Sequence, residues 1–447
     1  MRSLFLLAMA AFAGCVSVVE DGAGCELQAR IDKAAAAGGG TVVVPAGTWE
    51  SKPLILRAGV TLHLAKGATV LASTNINDYV QKDGQRFFIY AEDADNVAIE
   101  GEGVICGRGG VFREKKGLKG ESQPQNLPIL MRFARCRNLR LEDFTFRDGA
   151  AWGCHLMNCD GVVIRRMKAF NHVNNTNDGI DIESRNVLIE DCDIDTDDDA
   201  IVFKTESDFT FPVENVEVRN CRLASCCNAI KFGTGSYGDW RNIDVHDCVI
   251  SRSKGNFRFD WRKRTPGVTE RITGLAAIAL EVVDGGRMEN VKVRNIEIRN
   301  GFQTPIFIRH HRRHACRDGK GTFLKNILIE NVKGRAESHI ASSITGVPGL
   351  KPRDITLRNI TLEMPGGCTA QAAAKPVPEM ETGYPDNHMF GYAPLPAWGF
   401  FIRHAENITF ENVKLTLSAA DARPMCVAVD AQNVRGIQIT PQEGKTK

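Results

Sequence analysis

The sequence has almost no excess of charge of either sign and few aromatic residues. Its 447 residues include 56 Lys and Arg against 54 Asp and Glu, which leaves a net charge of +2. This balance gives no support to a function that depends on electrostatic attraction to nucleic acid or to an anionic membrane surface, and we expect no nucleic-acid partner. Aromatic residues make up 7% of the chain, whereas glycine occurs 42 times. Many glycines and few aromatic residues are typical of a turn-rich β protein.

Beyond residue 15 the sequence also lacks an apolar run long enough to cross a membrane. At the N-terminus Arg2 precedes an apolar run, Leu4 to Phe12, and small residues lead to Cys15. This pattern is typical of an export signal. Its end resembles a bacterial lipoprotein signal, although Phe12 stands where leucine is usual. We therefore expect residues 1–15 to direct export to the periplasm, outer membrane or surface of a bacterium, with any membrane contact limited to a lipid anchor at Cys15.

Cysteine, by contrast, is abundant, with 14 residues. No Cys-x-x-Cys pair occurs, so the usual pattern of a structural zinc site is missing and we expect neither a metal nor a cofactor. Three cysteines each stand six residues after an asparagine that opens a repeat. This equal spacing would stack their thiols inside a coiled fold as small buried hydrophobes. These cysteines are Cys192, Cys221 and Cys248, which follow Asn186, Asn215 and Asn242.

Three five-residue phrases give the strongest structural signal. They are Asp178–Ile182, Asp199–Phe203 and Asn228–Phe232, and in each a polar residue is followed by apolar residues two and four positions later. Alternation with period two predicts a strand. Recurrence after 21 residues (199 − 178) and 29 residues (228 − 199) predicts a coiled stack of such strands. The first residues of the phrases should then form one column, with about 4.8 Å between neighbouring coils.

The same strand pattern recurs along most of the chain. Aliphatic-x-aliphatic triplets opened by Asn or Asp return at irregular steps from Asn138 to Asn407, and asparagine suits a left-handed turn. A leucine-rich repeat is the alternative solenoid, but valine and isoleucine dominate here and no helical pattern follows the strands. We predict an all-β parallel β-helix as a single domain over residues 20–440. A helix over Glu26 to Ala37 would cap its open end, and residues 365–399 would form a long loop excursion.

Two acidic motifs carry a family resemblance. The segment Asn175–Gly179, Asn-Thr-Asn-Asp-Gly, is a close variant of one signature of the polygalacturonase family of glycoside hydrolases, and the pair Asp198-Asp199 matches a second. The chain resembles a divergent bacterial member of that family over residues 20–435. The resemblance implies a right-handed parallel β-helix that hydrolyses the α-linked galacturonate chains of pectin with inversion at the anomeric carbon.

The resemblance also implies roles for the carboxylates. Asp198 would protonate the leaving oxygen, while Asp178 and Asp199 would hold the attacking water, which fits the need of an inverting hydrolase for an acid and a base. A purely structural ladder of Asp residues is one alternative. A calcium loop over Asp191–Asp199 is another, although its sixth and twelfth positions lack the Gly and Glu of an EF-hand.

Two further signatures of the family are altered. Where the family has Gly-His-Gly one coil after Asp199, this sequence has Asn228, which can hydrogen-bond to a sugar but cannot titrate. The Arg-Ile-Lys signature has no clean match, and Arg309 and Glu281 are the candidates for its substrate-binding position. These departures favour another galacturonate- or rhamnose-bearing pectic chain, or exo action on a short oligomer, over unsubstituted polygalacturonate.

Basic residues beside the acidic column fit an acidic substrate. Lys204 and Lys231 lie on the predicted strands next to that column, where an ammonium group can pair with a uronate carboxylate. The basic run Arg309–His314 is either a second anion-binding element or a solvated loop. Trp152 is expected to pack against neighbouring residues or to form the floor of the site.

Three classes of function remain. The first is an exported, monomeric glycoside hydrolase that needs no cofactor and acts on a pectic polysaccharide or oligosaccharide. The second is a pectate lyase of the same fold, which would require calcium and an arginine base. The third is a non-catalytic β-helix that binds glycan at a cell surface, an alternative that the change from His to Asn at position 228 keeps open. Release of reducing sugar without calcium would separate the three.

Overall fold

The computed structural model describes residues 27–112, 127–255 and 260–441. Its first element is the helix α1, Leu27–Ala36, which buries Leu27 and Ile31. The guanidinium of Arg30 donates a hydrogen bond to the carbonyl of Val43 at 2.8 Å and so ties the helix to the first strand. The predicted capping helix is confirmed, because α1 covers an open end of the sheet that would otherwise expose unpaired backbone groups.

The rest of the described chain is mostly strand. Short helices interrupt it at α2, Ala370–Ala373, and at three 3-10 turns, Ile76–Asp78, Gly109–Phe112 and Trp261–Lys263. In chain order the strands are β1 Gly40–Val44, β2 Gly47–Ser51, β3 Leu54–Ile55, β4 Val60–Leu64, β5 Ala68–Ala72, β6 Val80–Lys82, β7 Gln85–Glu92, β8 Ala98–Glu100, β9 Val104–Cys106, β10 Ile129–Ala134, β11 Arg137–Glu142, β12 Thr145–Arg147, β13 Cys154–Arg165, β14 Lys168–Asn171, β15 Ile180–Glu190, β16 Asp193–Thr196, β17 Ile201–Thr205, β18 Val213–Arg219, β19 Arg222–Ser225, β20 Asn228–Ser236, β21 Asp239–Arg252, β22 Gly274–Val282, β23 Arg287–Ile298, β24 Phe302–His310, β25 Phe323–Arg335, β26 Ser342–Thr345, β27 Arg353–Met364, β28 Phe400–Arg403, β29 Glu406–Leu417, β30 Cys426–Val429, β31 Gln432–Arg435 and β32 Thr440–Pro441.

Three long parallel sheets form the faces of the solenoid. One of them, the site sheet, stacks β3, β7, β10, β13, β15, β17, β20, β22, β24, β26, β28, β30 and β32 in that order. A second sheet begins with β1, β4, β8 and β11, and a third with β2, β5, β9 and β12. The predicted all-β parallel β-helix is confirmed, since the strands of these three sheets pair in parallel with strands one coil away. The short strand β6 lies outside this pattern and pairs antiparallel with β7.

Asparagines turn the chain from one face to the next. Asn186, Asn215 and Asn242 have φ angles of 54°, 55° and 56°, the left-handed region that asparagine tolerates better than other residues with a side chain. The side-chain amide of Asn215 donates to that of Asn186 at 3.1 Å, and Asn242 donates to Asn215 at 3.4 Å. This ladder explains why the strand pattern in the sequence is so often opened by asparagine.

The interior of the coil is apolar and closely packed. The rings of Phe203 and Phe232 stack with their centroids 4.2 Å apart. The register of β16, β19 and β21 places Cys192, Cys221 and Cys248 in one column, where they are 2%, 1% and 1% exposed and carry free thiols. The structure therefore contains the buried cysteine column that the repeat spacing predicts.

Residues 365–399 leave the coil between β27 and β28 and lie over the outer face of the site sheet. Met389 and Phe390 from this excursion pack against Ala279 and Phe307, which point outward from the sheet. Both faces of β22 and β24 are consequently buried. The excursion thus forms a wall over the coils that follow the acidic column.

Among the residues that the structure describes, no helix combines the length and the apolar character required to cross a membrane. The predicted signal over residues 1–15 and the anchor position Cys15 lie outside the described residues.

Candidate active site

A column of polar residues stands where three successive strands of the site sheet begin. The registers of β15, β17 and β20 place Asp178, Asp199 and Asn228 on adjacent coils. Backbone hydrogen bonds of 2.8 Å from Gly179 to the carbonyl of Asp199, and of 2.9 Å from Ala200 to the carbonyl of Asn228, tie the three turns together. The geometry of the predicted column is confirmed, because the three phrases share one phase along the solenoid.

The turn that carries Asp178 is held by the asparagine before it. The side-chain amide of the buried Asn177 donates to the carbonyls of Gly149 and Ala151 at 2.8 and 2.9 Å, and its oxygen accepts the N–H of Asn174 at 2.5 Å. Both polar atoms of the Asn177 side chain are thereby used within the fold. This explains why an asparagine stands next to Asp178, and it makes Asn177 a positioning residue for that carboxylate.

Asp198 and Asp199 form the adjacent acidic pair. Asp198 is half-buried, whereas Asp199 is 8% exposed. One carboxylate oxygen of each residue lies within 4.8 Å of the other and of the Cys227 sulfur. The carbonyl of Asp198 accepts hydrogen bonds from the hydroxyls of Ser225 at 2.6 Å and Thr196 at 2.7 Å. The backbone of the pair is thus fixed, and the half-buried Asp198 side chain accepts the N–H of Asp199 at 3.1 Å.

Asn228 lies beneath Asp199 and holds its carboxylate. The backbone N–H and the side-chain amide of Asn228 donate to the same Asp199 oxygen, at 3.0 and 2.8 Å, and the Asn228 oxygen accepts the N–H of Ala276 at 3.1 Å. Asn228 is only 1% exposed. In this structure it therefore orients Asp199, whereas the sequence suggested direct contact with the sugar.

Lys204 is placed between two carboxylates on the preceding coil. Its ammonium lies 2.6 Å from Asp181 and 3.1 Å from Asp178 and stands 3.5 Å from the centre of the Trp152 ring. Burial raises the pKa of Asp178 above its ordinary value and Asp199 adds to this, while Lys204 opposes it. Burial lowers the pKa of Lys204, but the two carboxylates outweigh it and raise that pKa well above its ordinary value.

Trp152 packs against neighbouring residues, which is one of the two roles that its sequence position suggested, and its role as the floor of the site remains a prediction. It packs against a small apolar cluster with Phe87 and Tyr90, and its ring face supports the Lys204 ammonium. The pairing of a desolvated cation with an aromatic face is favourable. Because Lys204 is 7% exposed and already paired, its predicted contact with a uronate carboxylate remains a prediction that requires a rearrangement.

Lys231 and Glu281 form a second buried pair, in which Lys231 lies on the same strand as Asn228 and Glu281 lies one coil beyond. The Lys231 ammonium lies 2.6 Å from Glu281 and 3.5 Å from Asp386, and Lys231 and Glu281 are 1% and 0% exposed. Burial raises the pKa of Glu281 to about 8; Lys231 opposes this rise, whereas Asp386 and Asp199 contribute to it. The predicted substrate-binding roles of Lys231 and Glu281 therefore compete with their bond to each other.

Arg309 does not join the acidic column. It is completely buried, and its guanidinium donates to the carbonyls of Gly346, Glu379 and Met380 at 2.9, 2.7 and 3.1 Å. Two of these carbonyls belong to the excursion over residues 365–399, so Arg309 anchors that wall of the site. To bind substrate it would first have to release these carbonyls, which would leave the buried acceptor of Gly346 unsatisfied and free the excursion from its anchor.

The excursion contributes residues that the repeat pattern did not identify as part of the site. Asp386 approaches Lys231, and the hydroxyl of Tyr384 accepts a hydrogen bond from Thr234 at 2.9 Å while the residue as a whole is 62% exposed. An exposed aromatic ring at the rim of a cleft offers an apolar face to a sugar ring. The presence of tyrosine in an otherwise aromatic-poor chain was the only sequence signal for it.

The acidic run does not form the loop that an EF-hand requires. Its central residues build the strand β16, so their side chains alternate. Asp193 pairs with Arg222 at 2.9 Å, and Asp195 contacts His172 at 2.9 Å. Asp193 therefore belongs to an outward ion pair, and Asp195 belongs to a buried hydrogen-bonded group. Only the pair Asp198-Asp199 remains at the acidic column.

Known proteins share both the sequence pattern and the fold. A "probable polygalacturonase" of Arabidopsis thaliana is 24% identical over 322 residues, which cover 70% of this chain and 66% of the relative. An endo-polygalacturonase of Pectobacterium carotovorum subsp. carotovorum is 23% identical over 336 residues, with 70% of this chain and 77% of the relative covered. The chain therefore spans about two thirds to three quarters of the length of these relatives.

A solved structure supports the same fold. The family 28 exopolygalacturonase of Yersinia enterocolitica superposes with a TM-score of 0.68 at 18% identity, covering 91% of this chain and 74% of that one. The family model for glycosyl hydrolases family 28 matches residues 37–381, a span that includes every residue of the acidic column and of the two buried lysine pairs. By that match the chain belongs to family 28 of the glycosyl hydrolases.

Proposed function

We propose that this protein is an exported enzyme that hydrolyses a galacturonate-containing pectic polysaccharide or oligosaccharide by a single displacement with inversion. Membership of the family supports glycoside hydrolysis. The observation that carries the proposal is the in-register placement of Asp178 and Asp199 on adjacent coils, with the half-buried Asp198 beside them. A site of this kind presents an acid on the solvent side and carboxylates behind it.

In the proposed reaction Asp198 gives its proton to the glycosidic oxygen as the bond to the leaving sugar breaks. A water molecule held by Asp178 and Asp199 attacks the anomeric carbon from the opposite face of the ring and loses a proton to these carboxylates. Asn228 keeps Asp199 in a fixed orientation through its two hydrogen bonds. Lys204 stands beside Asp178 and stabilises its ionised form.

The protonation of Glu281 bears on the choice of an acidic sugar. A pKa of about 8 leaves this carboxyl mostly neutral at pH 7, so it does not cancel the charge of Lys231. The Lys231 ammonium can attract an anionic ligand, which would compete with Glu281 and Asp386 for it. A uronate carboxylate could reach Lys231 if the excursion that carries Asp386 shifts, and this supports a galacturonate-bearing substrate over a neutral one.

The decisive experiment is incubation with a panel of defined galacturonate-containing oligosaccharides in the presence of a calcium chelator. We expect new reducing ends, and proton NMR at early times should find the anomeric configuration of the first product inverted relative to the cleaved bond. Asp198→Asn serves as the inactive control. Products with an unsaturated end would indicate a lyase, and binding without any product would indicate a glycan-binding protein; either result overturns the proposal.

Export belongs to the same proposal. Residues 1–14 would be removed in the mature protein, and Cys15 would become its lipidated first residue. Mass spectrometry of the N-terminal peptide from the membrane fraction of a bacterial host should find a lipid on Cys15. The variant Cys15→Ala should lose both the lipid and the membrane association, while the hydrolase activity of the purified protein should stay unchanged.

A further inference from the structure

A second cluster of polar side chains lies just before the acidic column. His172, Asp197 and Cys226 each follow the last residue of β14, β16 and β19, strands whose registers align those last residues on three successive coils. The three therefore occupy one position of the repeat. Asp197 and Cys226 are 3% and 8% exposed, and the side chain of His172 is 7% exposed.

The ligand atoms of these residues converge. One atom each of His172, Asp197 and Cys226 lies within 4.8 Å of the other two. Because neighbouring coils are about 4.8 Å apart, the side chains on the first and third coils must lean toward each other. The Nδ1 atom of His172 is 3.8 Å from the Asp197 carboxylate, which is too far for a hydrogen bond. Two ligands bound tetrahedrally to zinc at about 2.0–2.1 Å lie about 3.4 Å apart, so only a small movement would be needed to bind an ion.

The histidine is oriented for this purpose by its other nitrogen. Nε2 of His172 lies 2.9 Å from the Asp195 carboxylate, and Asp195 also accepts the Ser253 hydroxyl at 2.6 Å and the Lys254 N–H at 2.9 Å. A carboxylate behind a histidine fixes the tautomer that leaves the other nitrogen able to bind metal. Nδ1 of His172 is buried and has no hydrogen-bond partner, and it points toward Asp197.

We propose that Nδ1 of His172, the carboxylate of Asp197 and the thiolate of Cys226 bind a Zn²⁺ ion. Zinc is the divalent ion that accepts nitrogen, oxygen and sulfur ligands together in tetrahedral sites. On binding, the Cys226 thiol, whose sulfur is now 3.0 Å from the carbonyl of Gly255, gives one proton to solvent. The imidazolium of His172, which lies between the carboxylates of Asp195 and Asp197, gives a second proton to solvent, so that Nδ1 can bind the ion. Solvent supplies the fourth ligand.

The position of the ion suggests a structural role that does not depend on the proposed reaction. Asp197 is the residue before Asp198, and Cys226 stands two residues before Asn228. Zinc would join the three turns that lead into the acidic column, each of which otherwise depends on hydrogen bonds within its own coil and to its neighbours. We expect the bound ion to stabilise the fold at these coils, with no part in bond cleavage.

A competing group must be distinguished by the experiment. The carboxylates of Asp198 and Asp199 and the sulfur of Cys227 also lie within 4.8 Å of one another, and an ion there would occupy the acidic pair. Without any ion, His172 can instead remain as the centre of an ion pair with Asp195 and Asp197. The two thiols, on neighbouring residues, allow the sites to be separated by single substitutions.

The test is a titration of the purified, chelator-treated protein with Co²⁺, which reports a thiolate ligand by a charge-transfer absorption band, followed by displacement with Zn²⁺. We expect one equivalent to bind with a thiolate band, the band to vanish in Cys226→Ala, and the band to persist in Cys227→Ala. The variant Cys248→Ala, which removes a buried thiol from the cysteine column, is the matched control and should keep the band.

A thermal measurement guards against a folding defect in the variants. Saturating Zn²⁺ should raise the melting temperature of the wild-type protein by at least about 3 °C, and should not change that of Cys226→Ala. The proposal is overturned if no stoichiometric uptake occurs, if the band survives in Cys226→Ala, or if it is lost in Cys227→Ala alone. The last result would assign the ion to the acidic pair.

Discussion

Asn228 donates two hydrogen bonds to one oxygen of the Asp199 carboxylate, from its backbone at 3.0 Å and from its side chain at 2.8 Å. Both donors lie on the coil next to Asp199, so the solenoid itself sets the angle of this carboxylate. In the proposed reaction the second oxygen of Asp199 would orient the attacking water. Asn228 stands where the family signature has a histidine. In this protein it acts on the Asp199 carboxylate and not directly on the sugar.

Replacement of Asn228 by alanine should therefore lower kcat and leave KM nearly unchanged. The side-chain donor is lost, and a misplaced catalytic group costs about 10- to 10²-fold in rate, whereas a residue that is 1% exposed contributes no direct contact to the ground state. Steady-state kinetics on the best oligosaccharide of the panel will measure both constants. A raised KM with unchanged kcat would instead place Asn228 against the sugar, as the sequence suggested.

Asp198→Asn should reduce kcat by at least about 10²-fold, which is the usual scale for the loss of a general acid. The amide keeps the shape of the side chain but has no acidic proton to give. Asp193→Asn is the matched control, because Asp193 lies on β16 five positions earlier (198 − 193) and forms an exposed ion pair with Arg222. If Asp198→Asn retains activity within a few-fold of wild type, the acid must be reassigned.

The buried pair of Lys231 and Glu281 predicts a pH dependence of stability. The folded protein holds the Glu281 proton up to about pH 8, against an ordinary pKa of 4.5, so this group stabilises the fold fully below pH 4.5 and its contribution is lost as the pH rises through 8. Asp178 and Asp386, whose pKa values are also raised, change stability in the same direction.

Glu281→Gln should remove the part of this dependence that belongs to Glu281. Between pH 5 and 8 (about the interval between the two pKa values), the melting temperature of the variant should fall less than that of the wild-type protein. Glu297→Gln, at a half-buried carboxylate beside Arg299, should keep the wild-type slope. Equal slopes in wild type and Glu281→Gln would mean that Glu281 is ionised throughout this range.

Arg309→Met should loosen the excursion over residues 365–399, because the methionine cannot donate to the carbonyls of Glu379 and Met380. Limited proteolysis at low protease concentration should cut the variant within this segment at least about tenfold faster than the wild-type protein. Arg299→Met, which removes an exposed guanidinium from β23's end, should be cut at the wild-type rate. An unchanged cutting rate with a raised KM would favour the substrate-binding role that the sequence suggested for Arg309.

The repeat phase predicted the acidic column correctly because a solenoid converts equal phase in sequence into proximity in space. Asp178, Asp199 and Asn228 open phrases of identical pattern, and parallel pairing aligns such phrases whatever the length of the intervening loops. The same alignment holds for the residues inside the phrases. Lys231 stands two coils from Asp181 at the same register position.

The partners of the buried lysines were harder to predict. Asp386 approaches Lys231, but it comes from a segment without strand periodicity that lies 187 residues after Asp199 (386 − 199). No repeat therefore indicates where Asp386 will lie. Burial of Lys204 and Lys231 also could not be read from the strands alone. A side chain that points outward from an uncovered solenoid is exposed to solvent. These two lysines are buried only because the excursion and neighbouring side chains pack over them.

The cysteine column predicts a distinct pattern of thiol reactivity. Cys192, Cys221 and Cys248 are nearly inaccessible, and thiol reagents need access to the thiolate; they should be labelled only when a denaturant opens the coil. Cys316, which is partly exposed, is the internal control and should react in the native protein. Peptide mass spectrometry after timed alkylation will assign each site. Rapid native labelling of the three, or a disulfide among them, would contradict the column, because a thiol stacked between coils can meet a reagent only if those coils separate.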